Sequence, residues 1–159
     1  YLFPGSVLEN VRVYDDAISE ARVRDAIGNV HASAMLEALP DGIQANLWER
    51  GGNLSAGEKQ LLSFARALAA DPELVILDEA TSSIDMDTEE KIRRSLDVLL
   101  KGRTSLIVAH RLSSILGADQ ILYFSEGRIA ARGTHAELIE SCNDYRLLVE
   151  QQFLGKEAL

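Results

Sequence analysis

Residues 74–79 read LVILDE, four apolar residues followed directly by two carboxylates. A run this short and this apolar predicts a β-strand that is buried on both faces, as in a parallel sheet covered by helices. Further apolar runs follow at 105–108 and 121–124, and a helical pattern over 88–101 separates the first two runs. This alternation of strands and helices predicts an α/β fold with a parallel sheet and flanking helices.

Polar residues stand at the ends of two of these predicted strands. Asp78 and Glu79 close the first strand and His110 follows the second. Ligands of such sheets bind at the carboxyl ends of the strands. A carboxylate there can hold Mg²⁺, usually through water, and a neighbouring one can polarise an attacking water. On the residues alone, a simple turn after the strand explains the two acids equally well.

The segment Leu54–Glu58, LSAGE, begins a long helical pattern. Ser55 and Glu58 have the spacing of a capping box, in which each side chain caps the backbone N–H of the other residue. The same helix start also suits an anion, because its free N–H groups and positive dipole end attract phosphate. Ala56 and Gly57 are small enough to let a phosphate approach. The two interpretations do not exclude each other.

Composition narrows the class of protein. The chain has 159 residues and a net charge of −9, which argues against nucleic acid as the main partner. Its single cysteine, Cys142, cannot form an internal disulfide. No apolar run approaches the roughly 18 residues of a membrane span. The first residues resemble neither a signal peptide nor an initiator methionine, so we expect the chain to be part of a longer protein.

Taken in order, LSAGE, LVILDEATSSID and IVAHRLSS resemble the nucleotide-binding domain of exporter-type ATP-binding cassette (ABC) transporters, over essentially the whole chain. The resemblance implies a partial P-loop NTPase fold with an added α-helical subdomain. It implies that residues 1–70 form this helical, signature-bearing subdomain, together with the stretch after the family's Q-loop. Residues 71–159 would form the C-terminal half of the ATPase core. The implied cofactors are ATP and Mg²⁺.

The family's motifs assign roles to individual positions. Residues 54–58 correspond to the signature LSGGQ, 74–79 to the Walker B strand with its glutamate, 82–85 to the D-loop and His110 to the switch histidine. The resemblance implies two catalytic residues and one residue that serves the metal: Glu79, His110 and Asp78. It also implies a set of residues that contact ATP: Ser55, Ala56, Gly57, Glu58, Ser82 and Asp85.

The resemblance also implies partners. In the family, two nucleotide-binding domains close head to tail around ATP, as a homodimer or a heterodimer. Residues 1–51, including the segment Glu49–Gly51, would face the transmembrane domains, at the cytoplasmic face of the cell membrane, and no nucleic acid would take part. No stretch of this sequence matches the family's phosphate loop, GxxxxGK[ST], so we expect the chain alone to be inactive.

Two residues depart from the usual signature, Ala56 and Glu58. A carboxylate near a partner's γ-phosphate should repel it, which predicts a weakened ATP site of the kind found in heterodimeric exporters. An alternative interpretation is an ABC-type ATPase of chromosome maintenance or DNA repair, because the signature of such proteins often ends in Glu followed by Lys, as Glu58-Lys59 does here. Against it stand the AHRLSS segment, Glu49–Gly51 and the acidic charge. A third interpretation is an interaction fragment without catalysis.

Overall fold

The structure, a computed structural model, describes residues 1–78, 86–109 and 115–154. Contacts divide the chain into two compact units, one of residues 1–76 and 81–106, the other of residues 77–80 and 107–159. The predicted domain boundary at residue 70 stays a prediction. In the part of the chain that the structure describes, no helix has both the length and the apolar character needed to cross a membrane.

The first unit is built mainly from helices. Its helices are α1 (Val7–Arg12), α2 (Glu20–Asn29), α3 (Ser33–Ala38), α4 (Ala56–Ala70) and α5 (Met86–Leu100). Short 3₁₀ turns lie at Gly42–Gln44 and Glu49–Gly51. The two-residue strands β1 (Gly5–Ser6) and β2 (Asn46–Leu47) pair antiparallel. Helix α4 is central, since α1, α2 and α5 all pack against it.

Local sequence explains where α2 and α4 begin and end. The Ser19 side chain accepts a hydrogen bond from the Arg22 N–H and starts α2. Helix α4 buries one apolar stripe, which includes Leu61 and Leu62. It ends at Asp71, which adopts a left-handed conformation with a φ of 52° directly before a proline.

The helical pattern predicted over 88–101 corresponds to α5, which buries Ile92 and Leu99. Ser95 on the same helix is also fully buried, and its Oγ lies 2.8 Å from the carbonyl oxygen of Val30. This contact links α5 to the end of α2. On the exposed face, hydrogen bonds from Arg93 and Arg94 lower the pKa of Glu90 to about 2.

The predicted strands β3 (Leu74–Asp78) and β4 (Thr104–Val108) form and are paired in a small parallel sheet. The prediction that they are buried on both faces is wrong for this chain. Ile76 is 65% exposed and Leu106 52% exposed, whereas Val75 is buried. A sheet of two strands has two open edges, and in the described part of the chain no element covers the face that carries these side chains.

The second unit contains an antiparallel hairpin followed by two helices. The elements are β5 (Ile121–Ser125), β6 (Arg128–Gly133), α6 (His135–Ser141) and α7 (Asn143–Leu154). The hairpin turns at Glu126-Gly127, with φ values of 51° and 74° that suit a tight turn. The small core of this unit consists of Ile121, Leu138, Tyr145 and Val149.

Candidate functional site

The N-terminus of α4 carries the segment that resembles the signature. The Ser55 N–H donates to Glu58 Oε2 at 2.7 Å, and the Glu58 N–H donates to Ser55 Oγ at 3.2 Å. The predicted capping box is therefore confirmed. Leu54, just before the cap, is buried, so the chain enters the helix at a fixed place.

The capping box leaves other donors of this helix start open. No acceptor among the described residues takes the N–H groups of Ala56 and Gly57, the first two of the helix. Ser55 and Ala56 are exposed, whereas Gly57 is buried. The hydroxyl of Ser55 and two N–H groups, together with the positive end of the helix dipole, form a donor set that suits a phosphate oxygen.

Glu58 opposes an anion at this site. Its carboxylate is held at the first turn of α4 by the hydrogen bond from the Ser55 N–H. It therefore complements the helix dipole itself and places a negative charge where a phosphate would come. The α4 N-terminus thus combines hydrogen-bond donors that suit a phosphate with a negative charge that opposes one.

The spacing Ser-x-x-Glu is not specific for this function. The same spacing at Ser6–Glu9 and at Thr134–Glu137 also forms capping boxes, which start α1 and α6. Hydrogen bonds from Ser6 lower the pKa of Glu9, first from its backbone N–H and then from its hydroxyl. The capping box alone therefore gives no evidence of a ligand, and neither do the open N–H groups, since no acceptor among the described residues takes those of His135 and Ala136 either. What distinguishes the start of α4 is its place in the segment that resembles the family signature.

Asp78 is the last residue of β3 and is exposed. It lies in the second unit, whereas Ser55 and its neighbours lie in the first. The other predicted site residues lie outside the described residues: Glu79, Ser82, Asp85 and His110. Within residues 1–78, 86–109 and 115–154, no three side chains of the metal-binding types come together. The roles predicted for all of these residues stay predictions.

Sequence reasoning missed two polar residues in the first unit, Asn10 and Arg66. Asn10 is only 2% exposed, although it stands in the short helix α1. Arg66 is half-buried on α4 and hydrogen-bonds to the backbone of Asn10 and Tyr1. The one available signal is that Asn10 interrupts the otherwise apolar face of α1, which predicts a specific hydrogen-bonding role for its side chain.

A family model described as "ABC transporter" matches residues 2–82, which include both LSAGE and Asp78. This chain belongs to the ABC transporter family. The ABC fold is also apparent in a solved structure, "Structure of a bacterial Atm1-family ABC exporter with ATP bound". That chain is 34% identical with a TM-score of 0.83, and the match covers 95% of this chain and 26% of that one. The predicted α/β fold of an ABC nucleotide-binding domain is confirmed.

Two curated relatives in the ABC family have names that join ATP binding with a permease. The "Probable multidrug resistance ABC transporter ATP-binding/permease protein YheH" of Bacillus subtilis is 47% identical, over 96% of this chain and 23% of its own length. The "Beta-(1-->2)glucan export ATP-binding/permease protein NdvA" of Nitrobacter winogradskyi is 41% identical, and the match covers 99% of this chain and 26% of that protein. The chain thus spans about a quarter of the length of the curated relatives it matches.

Proposed function

We propose that this chain is the C-terminal part of the nucleotide-binding domain of an ABC exporter, in which ATP binding and hydrolysis drive transport across a membrane. The observation that carries the proposal is the start of α4, where the hydroxyl of exposed Ser55 and the open N–H groups of Ala56 and Gly57 lie in the segment that resembles the family signature. The names of the relatives support the exporter class, since they join ATP-binding and permease functions in one protein.

Each site residue has a proposed role in this function. Asp78 holds Mg²⁺, usually through water. Glu79 accepts a proton from the attacking water, and His110 contacts the terminal phosphate. When bound, Mg-ATP supplies the phosphoryl group that is transferred, and the metal offsets part of its negative charge. Asp78 and Glu79 belong to the end of β3 in the sequence, and His110 follows β4.

The proposed site is shared between two nucleotide-binding domains. The N-terminus of α4, with the hydroxyl of Ser55 and the N–H groups of Ala56 and Gly57, serves ATP held by the partner domain. Ser82 and Asp85 are proposed to contact the nucleotide as well. Residues 1–51 face the transmembrane domains at the cytoplasmic side of the membrane. Closing and opening of the two domains then drives the transport cycle.

Phosphate release by the full-length protein that carries this chain tests the function. In lipid vesicles, we expect saturable release of phosphate from ATP that stops when Mg²⁺ is removed by a chelator and resumes when Mg²⁺ is restored. A non-hydrolysable ATP analogue should inhibit this release. Release that is independent of Mg²⁺, or no release at any ATP concentration, would contradict the proposed function.

Substitution of Glu58 by glutamine should tighten ATP binding at the partner's site. Glutamine at this position can still accept the hydrogen bond from the Ser55 N–H, so the capping box stays while the negative charge is lost. A charge at a helix N-terminus changes binding by about two- to fivefold. The measurement is the nucleotide affinity of the full-length protein by calorimetry or fluorescence.

The control for this substitution is Glu137→Gln, which changes the same residue type in the capping box of α6. It should leave nucleotide affinity unchanged. Unchanged affinity in Glu58→Gln, or the same change in both variants, would show that the Glu58 carboxylate does no more than cap its helix.

A further inference from the structure

A set of polar contacts attaches the first six residues of the chain to α1. The side chain of Asn10 is buried and uses both of its polar atoms. Its Nδ2 donates to the carbonyl oxygens of Phe3 at 2.9 Å and Ser6 at 3.0 Å, and its Oδ1 accepts from the Phe3 N–H at 2.9 Å. Residues 3–6 are thereby held in one conformation against α1.

Arg66, a residue of α4, also binds the N-terminal residues of the chain. Its Nε donates to the carbonyl oxygen of Asn10 at 2.8 Å, and its Nη1 donates to the carbonyl oxygen of Tyr1 at 2.9 Å. The guanidinium carbon also lies 5.8 Å from the centre of the Phe3 ring, within the range of a cation–π contact. One side chain of α4 therefore holds three residues that precede it by more than 50 positions.

The hydrogen bonds of Asn10 and Arg66 fix the orientation of residues 1–6 relative to α4 more than they add to the stability of the fold. A planar guanidinium that bonds two carbonyl oxygens allows a narrow range of positions, whereas apolar packing tolerates sliding. A buried asparagine needs all of its partners in place, because an unmet polar group is costly. Asn10 and Arg66 therefore fix how residues 1–6 and α4 lie relative to each other.

Arg66 is too far along α4 to contact a group at the helix start. It lies eleven positions after Ser55, which is roughly 16 Å at 1.5 Å per residue. Any effect of Arg66 at the Ser55 end must therefore pass through the helix, which is continuous from Ala56 to Ala70. A shift of residues 1–6 would move the helix through Arg66, and with it the open N–H groups at its start.

We propose that Asn10 and Arg66 form a clamp that couples residues 1–6 to the signature end of α4, which makes Arg66 a positioning residue for ATP hydrolysis. This rests on the proposed function, in which residues 1–51 face the transmembrane domains and the start of α4 serves the partner's ATP. The clamp then carries a movement from the membrane-facing segment to the ATP site without any contact with the nucleotide.

The test compares Arg66→Ala with wild type in the full-length protein, by phosphate release and by the number of ATP molecules bound per chain. Loss of the clamp should lower ATP turnover roughly tenfold. This is the size of effect expected when a distant substitution slightly displaces the start of α4 from the ATP that it serves. The number of bound ATP molecules should stay at the wild-type value, because Arg66 contacts no nucleotide. A purely structural role would instead lower binding and turnover together.

Two further variants and one control make the test specific. Arg66→Lys keeps the charge but cannot bond two carbonyl groups as a planar fork, so its turnover should lie between those of Arg66→Ala and wild type. Asn10→Asp keeps the acceptor for the Phe3 N–H and loses both donated bonds, so it should lower turnover in the same way. Arg24→Ala removes an exposed arginine that pairs with Glu20, and should behave as wild type.

The outcomes separate the clamp from the proposed function. A wild-type protein that releases no phosphate would overturn the proposed function and the clamp with it. An active wild-type protein whose Arg66→Ala and Asn10→Asp variants keep full turnover would overturn the clamp alone. If all three variants of Asn10 and Arg66 bind less ATP than wild type, the role of these residues is in folding, which also overturns the clamp.

Discussion

Replacing Glu79 with glutamine in the full-length protein is expected to lower ATP turnover by a factor on the order of 10²–10⁴, the usual contribution of a general base. The carboxamide keeps the shape of the side chain but cannot accept a proton from water. ATP binding should survive, because the phosphate contacts proposed for this chain come from other residues. Steady-state phosphate release and equilibrium ATP binding measure the two parts of this prediction.

The matched control is Glu73→Gln. It makes the same chemical change at an exposed glutamate just before β3, at the opposite end of the strand from Asp78. Its turnover should equal that of the wild-type protein. Near-normal turnover in Glu79→Gln, or an equal loss in both variants, would refute the assignment of Glu79 as the base.

The second large effect concerns the helical unit. Replacing Leu62 with alanine should lower the free energy of unfolding by about 2–5 kcal/mol, the range for a leucine removed from a packed core. Leu62 is fully buried on α4, so the change loses apolar contacts and leaves a cavity. Urea unfolding of residues 1–159, followed by far-ultraviolet circular dichroism, measures the loss.

Leu147→Ala serves as the control for this stability prediction. Leu147 is 46% exposed on α7, so the same substitution should change the free energy of unfolding by less than about 1 kcal/mol. A cost for Leu62→Ala that is no larger than the cost for Leu147→Ala would mean that the helical unit is not packed around α4 as described.

Helix boundaries could be predicted from the sequence because they depend on neighbouring residues. Ser19 and Ser55 each place a side-chain oxygen where it can cap the first turn of a helix, and both do so. The hairpin turn at Glu126-Gly127 is local in the same way, since it depends on which residues tolerate a positive φ. Such features need no knowledge of the rest of the fold.

The burial of β3 and β4 could not be predicted in this way. An apolar run shows that a strand favours burial, but neighbours distant in sequence decide whether its faces are covered. Ile76 and Leu106 are exposed because the described part of the chain places no element over them. The contacts of Arg66 were missed for a related reason, since its partners lie 56 and 65 residues away.

At the candidate site, the sequence predicted the local hydrogen bonds of the helix start but not how far each of its residues is buried. The capping box of Ser55 and Glu58 follows from spacing alone, and it is confirmed. That Gly57 is buried whereas Ser55 and Ala56 are exposed depends on the three-dimensional structure around the helix start. The roles of Glu79 and His110 rest on the family resemblance and remain predictions.

The most direct test of the central claim is the identity of the nucleotide that the Glu79→Gln protein retains. The full-length protein is incubated with Mg-ATP, separated rapidly from free nucleotide and denatured, and the released nucleotide is identified by chromatography. We predict that Glu79→Gln retains ATP, whereas the wild-type protein retains mainly ADP or nothing. Recovery of ADP from Glu79→Gln at the wild-type rate would contradict the claim that this chain carries the catalytic base of an ABC ATPase.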